Sequence, residues 1–131
     1  MHHIKLFEEF EFKKLFKTKK LEEKDINNVL NIIEDFSKRH NLDKRVHFEN
    51  NETITKDILF FKAGIDIRFY TNNLEAISIK VSGFHSWPGN TPNDTAVDII
   101  NTLNSLKNLK LKVRGIPKEL PSRTFEVRIK P

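Results

Sequence analysis

A chain of 131 residues, 37% hydrophobic and 31% charged with eleven phenylalanines, has the size and composition of one folded domain with a single core, and is too apolar for disorder. It contains no cysteine, which excludes disulfides, thiolate metal sites and a cysteine nucleophile; no apolar run approaches the ~18 residues a membrane helix needs, and no continuous apolar segment near Met1 marks a secretion signal. The net charge of +5 is unevenly placed: from Lys107 to Pro131 eight basic residues face only Glu119 and Glu126, a local excess that favours anionic partners.

Ile4, Leu6, Phe7 and Phe10 share one helical arc, whereas Phe12, Leu15 and Phe16 fall on another, so residues 1–16 read as a leader helix that breaks near Glu11. A charged connector follows. Asp25 is then expected to N-cap a helix whose Ile26, Val29, Leu30, Ile33, Phe36 and His40 recur at helical spacing, ending in Lys38-Arg39-His40 where the dipole favours cations. His40 is expected to act as a cap there.

Arg45–Glu49 reads as a short strand, Asn50-Asn51 as a turn, and Thr53–Lys62 as a longer strand. Its continuous Ile58-Leu-Phe-Phe61 run predicts burial on both faces, or cover from the leader. After Ala63-Gly64 comes the strongest local signal: Ile65–Tyr70 and Glu75–Ser82 alternate around Thr71–Leu74, a β-hairpin. Ile65, Ile67, Phe69, Ile77, Ile79 and Val81 project to one face; Asp66, Arg68, Tyr70, Ser78, Lys80 and Ser82 project to the other.

The irregular stretch Gly83–Asp94 holds the only Trp and ends in Thr91-Pro92-Asn93-Asp94, a helix start. Ala96, Ile99, Ile100, Leu103 and Leu106 line the inner face of the helix it opens. Leu109, Leu111 and Val113 predict a strand, Gly115–Pro121 a loop, and Phe125, Val127 and Ile129 a final strand. The expected fold is a single α+β domain over residues 1–131: an antiparallel, mainly meander sheet of five to six strands, two to three helices packed on one face, and the order ααββββαββ.

Little in the chain is arranged for catalysis. His85, Ser86 and Asp94 are the close-set His, Ser and Asp, but Ser86 lacks a nucleophile elbow or an oxyanion site. His2, His3, His40, His47 and His85 show no converging ligand spacing, and four glycines draw no phosphate-binding loop, so neither a metal nor a cofactor is expected. What remains is the outward sheet face: Arg68, Tyr70 and Lys80, then Lys110, Lys112 and Arg114, then Arg128 and Lys130. If those strands are neighbours, they form a basic surface opposed by Asp66 and Glu126, with Tyr70 as a stacking platform. A solvated surface accounts for the same residues. Phe84, His85 and Trp87 are the candidate partner-binding loop.

Over its first ten residues the chain resembles the N-termini of small proteins of large tailed bacteriophages, through Ile4, Lys5, Phe7, Glu8 and Phe10. The resemblance implies a phage origin and a host-cell cytoplasmic location. In some such phages a similar leader directs proteins into the head and is removed after an apolar-x-Glu site, for which Leu6-Phe7-Glu8 would qualify. By analogy with the small single-domain inhibitors of bacterial defence, anti-CRISPR proteins among them, the expected function is a non-enzymatic protein that binds nucleic acid or a host ribonucleoprotein. Two alternatives stay open: a protein-interaction or virion component docking on a host protein through Phe84 and Trp87, and a small hydrolase or nuclease using His85 and Asp94. A monomer or an edge-paired homodimer fits either way, and no membrane association is expected.

Overall fold

The computed structural model describes residues 20–62, 64–83, 93–118 and 124–131. In chain order the elements are α1 (Glu23–Arg39), β1 (Asp43–Asn50), β2 (Thr55–Lys62), β3 (Ile65–Asn72), β4 (Ala76–Ser82), α2 (Asn93–Ser105), a 3-10 turn (Leu106–Leu109), β5 (Lys112–Arg114) and β6 (Phe125–Lys130). The six strands form one open sheet in the order β1-β2-β3-β4-β6-β5, antiparallel at every junction. The α+β class and the meander of the first four strands are as expected. Two α-helices are described, and the leader lies outside the described residues.

The alternation in β3 and β4 decides which face is dry. Ile65, Ile67, Phe69 and Thr71 of β3, and Ile77, Ile79 and Val81 of β4, are buried; with Ile58, Phe60, Val127 and Ile129 they form the sheet's half of the core. Thr71 is fully buried because its hydroxyl donates to the Ala76 carbonyl at 3.1 Å, which removes the cost of an unsatisfied polar group. The helices supply Ile26, Val29, Leu30, Ile33 and Phe36 from α1, Ile99 and Leu103 from α2, and Leu106 from the 3-10 turn. Phe36, Phe60 and Phe69 are the largest side chains removed from water, each contributing about 1.5–3 kcal/mol relative to exposure.

Two junctions fix the ends of the hairpin. Between β3 and β4 the loop is three residues, Asn73 (φ 54°), Leu74 (φ 61°) and Glu75, whose N–H donates to the Asn72 carbonyl at 3.2 Å. Leu74 is a costly residue there; its side chain packs on the core and its carbonyl accepts the Leu21 N–H at 2.8 Å. At the opposite end of the hairpin a Cβ on Gly83 (φ +90°) would stand 1.9 Å from the Gly64 carbonyl oxygen, so only glycine lets β4 leave beside β3.

The two helices are clasped at one end. Arg39 Nε and Nη2 donate to the two Asp98 carboxylate oxygens at 2.9 and 3.2 Å, and His40 Nε2 lies 2.6 Å from Oδ2. Thr95 Oγ1 is 3.2 Å from His40 Nδ1, and Arg39 Nη2 also donates to Thr102 Oγ1. His40 ends α1 as expected, its N–H donating to the Phe36 carbonyl, but its ring is engaged by α2.

Several boundaries differ from expectation: β1 begins at Asp43, β2 at Thr55 and β3 runs on to Asn72, and two further shifts bear on packing. Helix α1 starts earlier, with Glu22 at the N-cap and Asp25 inside the first turn, where the Asp25 carboxylate reaches back to accept the Glu22 N–H at 3.0 Å. The strand expected from Leu109 begins only at Lys112. The apolar face of α2 continues through Leu106 into a 3-10 turn, and Lys110 ends that turn in a left-handed conformation (φ 59°), so the alternating Leu109 and Leu111 are packing points of a turn. None of the described helices is long and apolar enough to cross a membrane.

Candidate nucleic-acid interface

Because both described helices cover the same side, none of the described elements covers the opposite face of the sheet. Residues directly opposed across strands share a face, so the pairing register lays out this face as rows. One row runs Arg45, Leu59, Arg68, Lys80, Glu126; the next runs Phe48, Asp57, Tyr70, Ser78, Arg128, Arg114; and Lys130 and Lys112 stand side by side beyond it. The sheet order thus makes neighbours of the strands whose adjacency the sequence leaves open. Arg68, Tyr70, Lys80, Lys112, Arg114, Arg128 and Lys130 lie on this one face, all exposed. Lys110 is exposed too, but in the turn before β5 and outside the strand ladder.

At its β5–β6 end the face is electrostatically crowded. Arg114 is directly opposite Arg128, and Lys112 directly opposite Lys130. Like charges in these positions repel, and each such pair costs a few tenths of a kcal/mol up to about 1 kcal/mol. Of these four cations, Arg128 alone comes within ion-pair distance of an acidic side chain among the described residues, with Nε 3.6 Å from Glu126 Oε1; Lys80, although opposite Glu126, forms no ion pair there.

Elsewhere the charge is better balanced than expected. The basic set was expected to face only Asp66 and Glu126, but Asp57 of β2 also points to the open side and takes both Arg68 Nε and Nη2 in a forked pair. The hydrogen bonds from Arg68 hold the Asp57 carboxyl below its ordinary range against the opposing effect of burial, and the same bonds push the Arg68 guanidinium up. Arg68 is therefore a fixed donor rather than a loose cation.

The face also carries aromatic surface. Phe48 is 51% exposed and Tyr70 40%, in the same row with Asp57 between them, which sets their strands about 9.5 Å apart. The placement of Phe48 depends on a bulge. Arg45 and Phe48 are three residues apart and would point to opposite faces in a regular strand, but the register shifts between Val46 and Phe48, so His47 is the extra residue and both reach the open side. Strict alternation conceals this second aromatic, and Asp57 immediately precedes the Ile58–Phe61 run, whose apolar residues carry the strand signal. Leu59 and Phe61 of that run are half-buried on the open face, with the Arg45 guanidinium 5.3 Å from the Phe61 ring, while Ile58 and Phe60 enter the core.

Between Tyr70 and Arg128 the small Ser78 leaves a depression of about 480 Å³, lined by Arg68, Tyr70, Ser78, Lys80, Glu126 and Arg128. Ser78 Oγ donates to Glu126 Oε1 at 2.9 Å and fixes that carboxylate at the floor. Phe84, His85, Ser86 and Trp87 lie outside the described residues, as does the Asp94 side chain, so the docking-loop and hydrolase expectations fall there. Among the described residues no group of three His, Asp or Glu converges as a metal site.

The architecture is that of a small α+β domain with an open, basic and partly aromatic antiparallel sheet face. Comparisons with protein-family models, with curated proteins and with solved structures find no match.

Proposed function

We propose that the protein is a non-enzymatic binder of single-stranded nucleic acid, received on the open face of the sheet. The observation that carries this is the block of four cations at β5 and β6, in which Arg114 opposes Arg128 and Lys112 opposes Lys130. Such a block destabilises the free protein, and phosphates laid across it would relieve the repulsion while releasing counterions. Phe48 and Tyr70 supply exposed rings on which unpaired bases stack, a surface that a closed duplex does not use. The phage-like leader supports action in the cytoplasm of a bacterial host, as an inhibitor occupying the nucleic acid of a defence ribonucleoprotein of the CRISPR-effector kind.

The test is fluorescence anisotropy with labelled 12-nucleotide RNA and DNA, single-stranded and duplex, across a NaCl series. Single strands should bind with a log–log salt slope of about −3, as four to five neutralised phosphates require. The variant carrying Lys112→Glu, Arg114→Glu, Arg128→Glu and Lys130→Glu should lose binding while keeping its circular dichroism. Equal binding by this folded variant, or no binding by the native protein, would overturn the proposal.

A further inference from the structure

We infer that the depression between Tyr70 and Arg128 is a base pocket selective for guanine; this deepens the proposed function and rests on it. The volume of about 480 Å³ lies within the range of small-ligand sites, roughly 300–1,000 Å³. Tyr70 and Arg128 flank Ser78 from the strands on either side of β4, so their backbones stand about 9.5 Å apart. That span accommodates one planar ring with an aromatic ring on one side and a guanidinium on the other, each approach being about 4.5–6 Å. Ser78 is small enough to leave the slot open, and its hydroxyl is already spent on Glu126.

Glu126 selects the base. A carboxylate set among Arg68, Lys80 and Arg128 weakens any site meant for phosphate alone, because it repels the anion that the cations attract. It is useful if the ligand brings donors, since an ionised carboxylate only accepts hydrogen bonds. Its contacts fall on Oε1, from Ser78 at 2.9 Å and Arg128 Nε at 3.6 Å, and Oε2 accepts no hydrogen bond among the described residues.

Guanine matches this carboxylate best. It presents two adjacent donors, N1–H and the N2 amino group, which the two oxygens of one carboxylate can accept together. Adenine and cytosine offer the carboxylate a single amino group, and uracil offers one N–H flanked by carbonyl oxygens that Glu126 would repel. Lys80, one row along and without an ion pair, stands where the nucleotide's phosphate would leave the slot.

The experiment uses the full chain and four labelled RNA octamers, uracil throughout except for G, A, C or U at the fourth position, read by anisotropy at fixed salt. The G octamer should bind about tenfold or more tighter than the other three, the discrimination expected of a bidentate base contact. In Glu126→Gln, which exchanges one carboxylate oxygen for a donor, that preference should fall to within twofold. Equal affinity for the four octamers, or a G preference that survives Glu126→Gln, would overturn the pocket while leaving the sheet-face reading standing. Failure of every octamer to bind would overturn both.

Discussion

Arg114 and Arg128 face each other across β5 and β6, and among the described residues the 3.6 Å approach of Glu126 to Arg128 is the one carboxylate within ion-pair distance of either. The native state keeps this repulsion, so removing one charge should strengthen the fold. We expect Arg114→Gln to stabilise the protein by about 0.2–1 kcal/mol in urea unfolding at low salt. The gain should shrink in 0.5 M NaCl, where the repulsion is screened, and affinity for single strands should fall. A loss of stability at low salt would show that the two guanidiniums are not in conflict.

Exposed aromatics whose work is stacking should be replaceable without harm to the fold. For Phe48→Ala and Tyr70→Ala we expect unfolding free energies within about 1 kcal/mol of the native protein, since both rings are at least 40% exposed. Affinity for single-stranded RNA should fall by a factor of about 5–150 for each, the equivalent of 1–3 kcal/mol per stacked base. Titration of both variants with one labelled 12-mer checks this.

Gly115 holds β5 against β6 at closest approach. Its φ is +94°, and a Cβ there would stand 2.3 Å from the Glu126 carbonyl oxygen. Gly115→Ala should cost at least about 1–3 kcal/mol from the backbone conformation alone. In heteronuclear NMR spectra the amide shifts should move along Glu126–Arg128, with weaker nucleic-acid binding as the result. Unchanged shifts there would mean that the strands do not meet as described.

The helix clasp sets the acid limb of stability. Burial pushes the Asp98 carboxyl up and is the largest single influence, but the hydrogen bonds from Arg39 and His40, with the charges of both, outweigh it and hold the group below its ordinary value. A carboxyl lowered in the folded state stabilises it above about pH 4, the unfolded value, and that contribution is lost as pH falls through the folded value. Asp57, lowered by its Arg68 hydrogen bonds, acts in the same direction. We expect Asp98→Asn to destabilise by about 1–3 kcal/mol at pH 7 and by progressively less as pH is lowered below about 4, measured by urea unfolding across that range.

Where the sequence was readable, the reason was periodicity. The α1 face Ile26, Val29, Leu30, Ile33 and Phe36 and the β3–β4 alternation are local patterns with one dry side each, and all those residues are buried. Arg68, Tyr70 and Lys80 follow from the same alternation read on its other side. Lys110 did not: alternation continues through Leu109 and Leu111 although the backbone there is turning, because a hydrophobic step of two is compatible with a 3-10 turn feeding a strand. Phe48 and Asp57 do not follow from simple alternation, the one moved between faces by a bulge, the other placed just before the Ile58–Phe61 run, in which apolar residues on both faces hide the alternation.

By itself the sequence determined that strands and helices each have an apolar side, and that the strands' other side is basic, because side-chain direction within an element follows from the chain's own repeat. It could not determine that β6 inserts between β4 and β5, which brings Arg128 opposite Arg114 and beside Ser78. Strand order is chosen by how the helices close over the shared core, a competition among contacts far apart in the chain. The conflict of charges at one end of the face, and the slot beside it, exist only after that choice has been made.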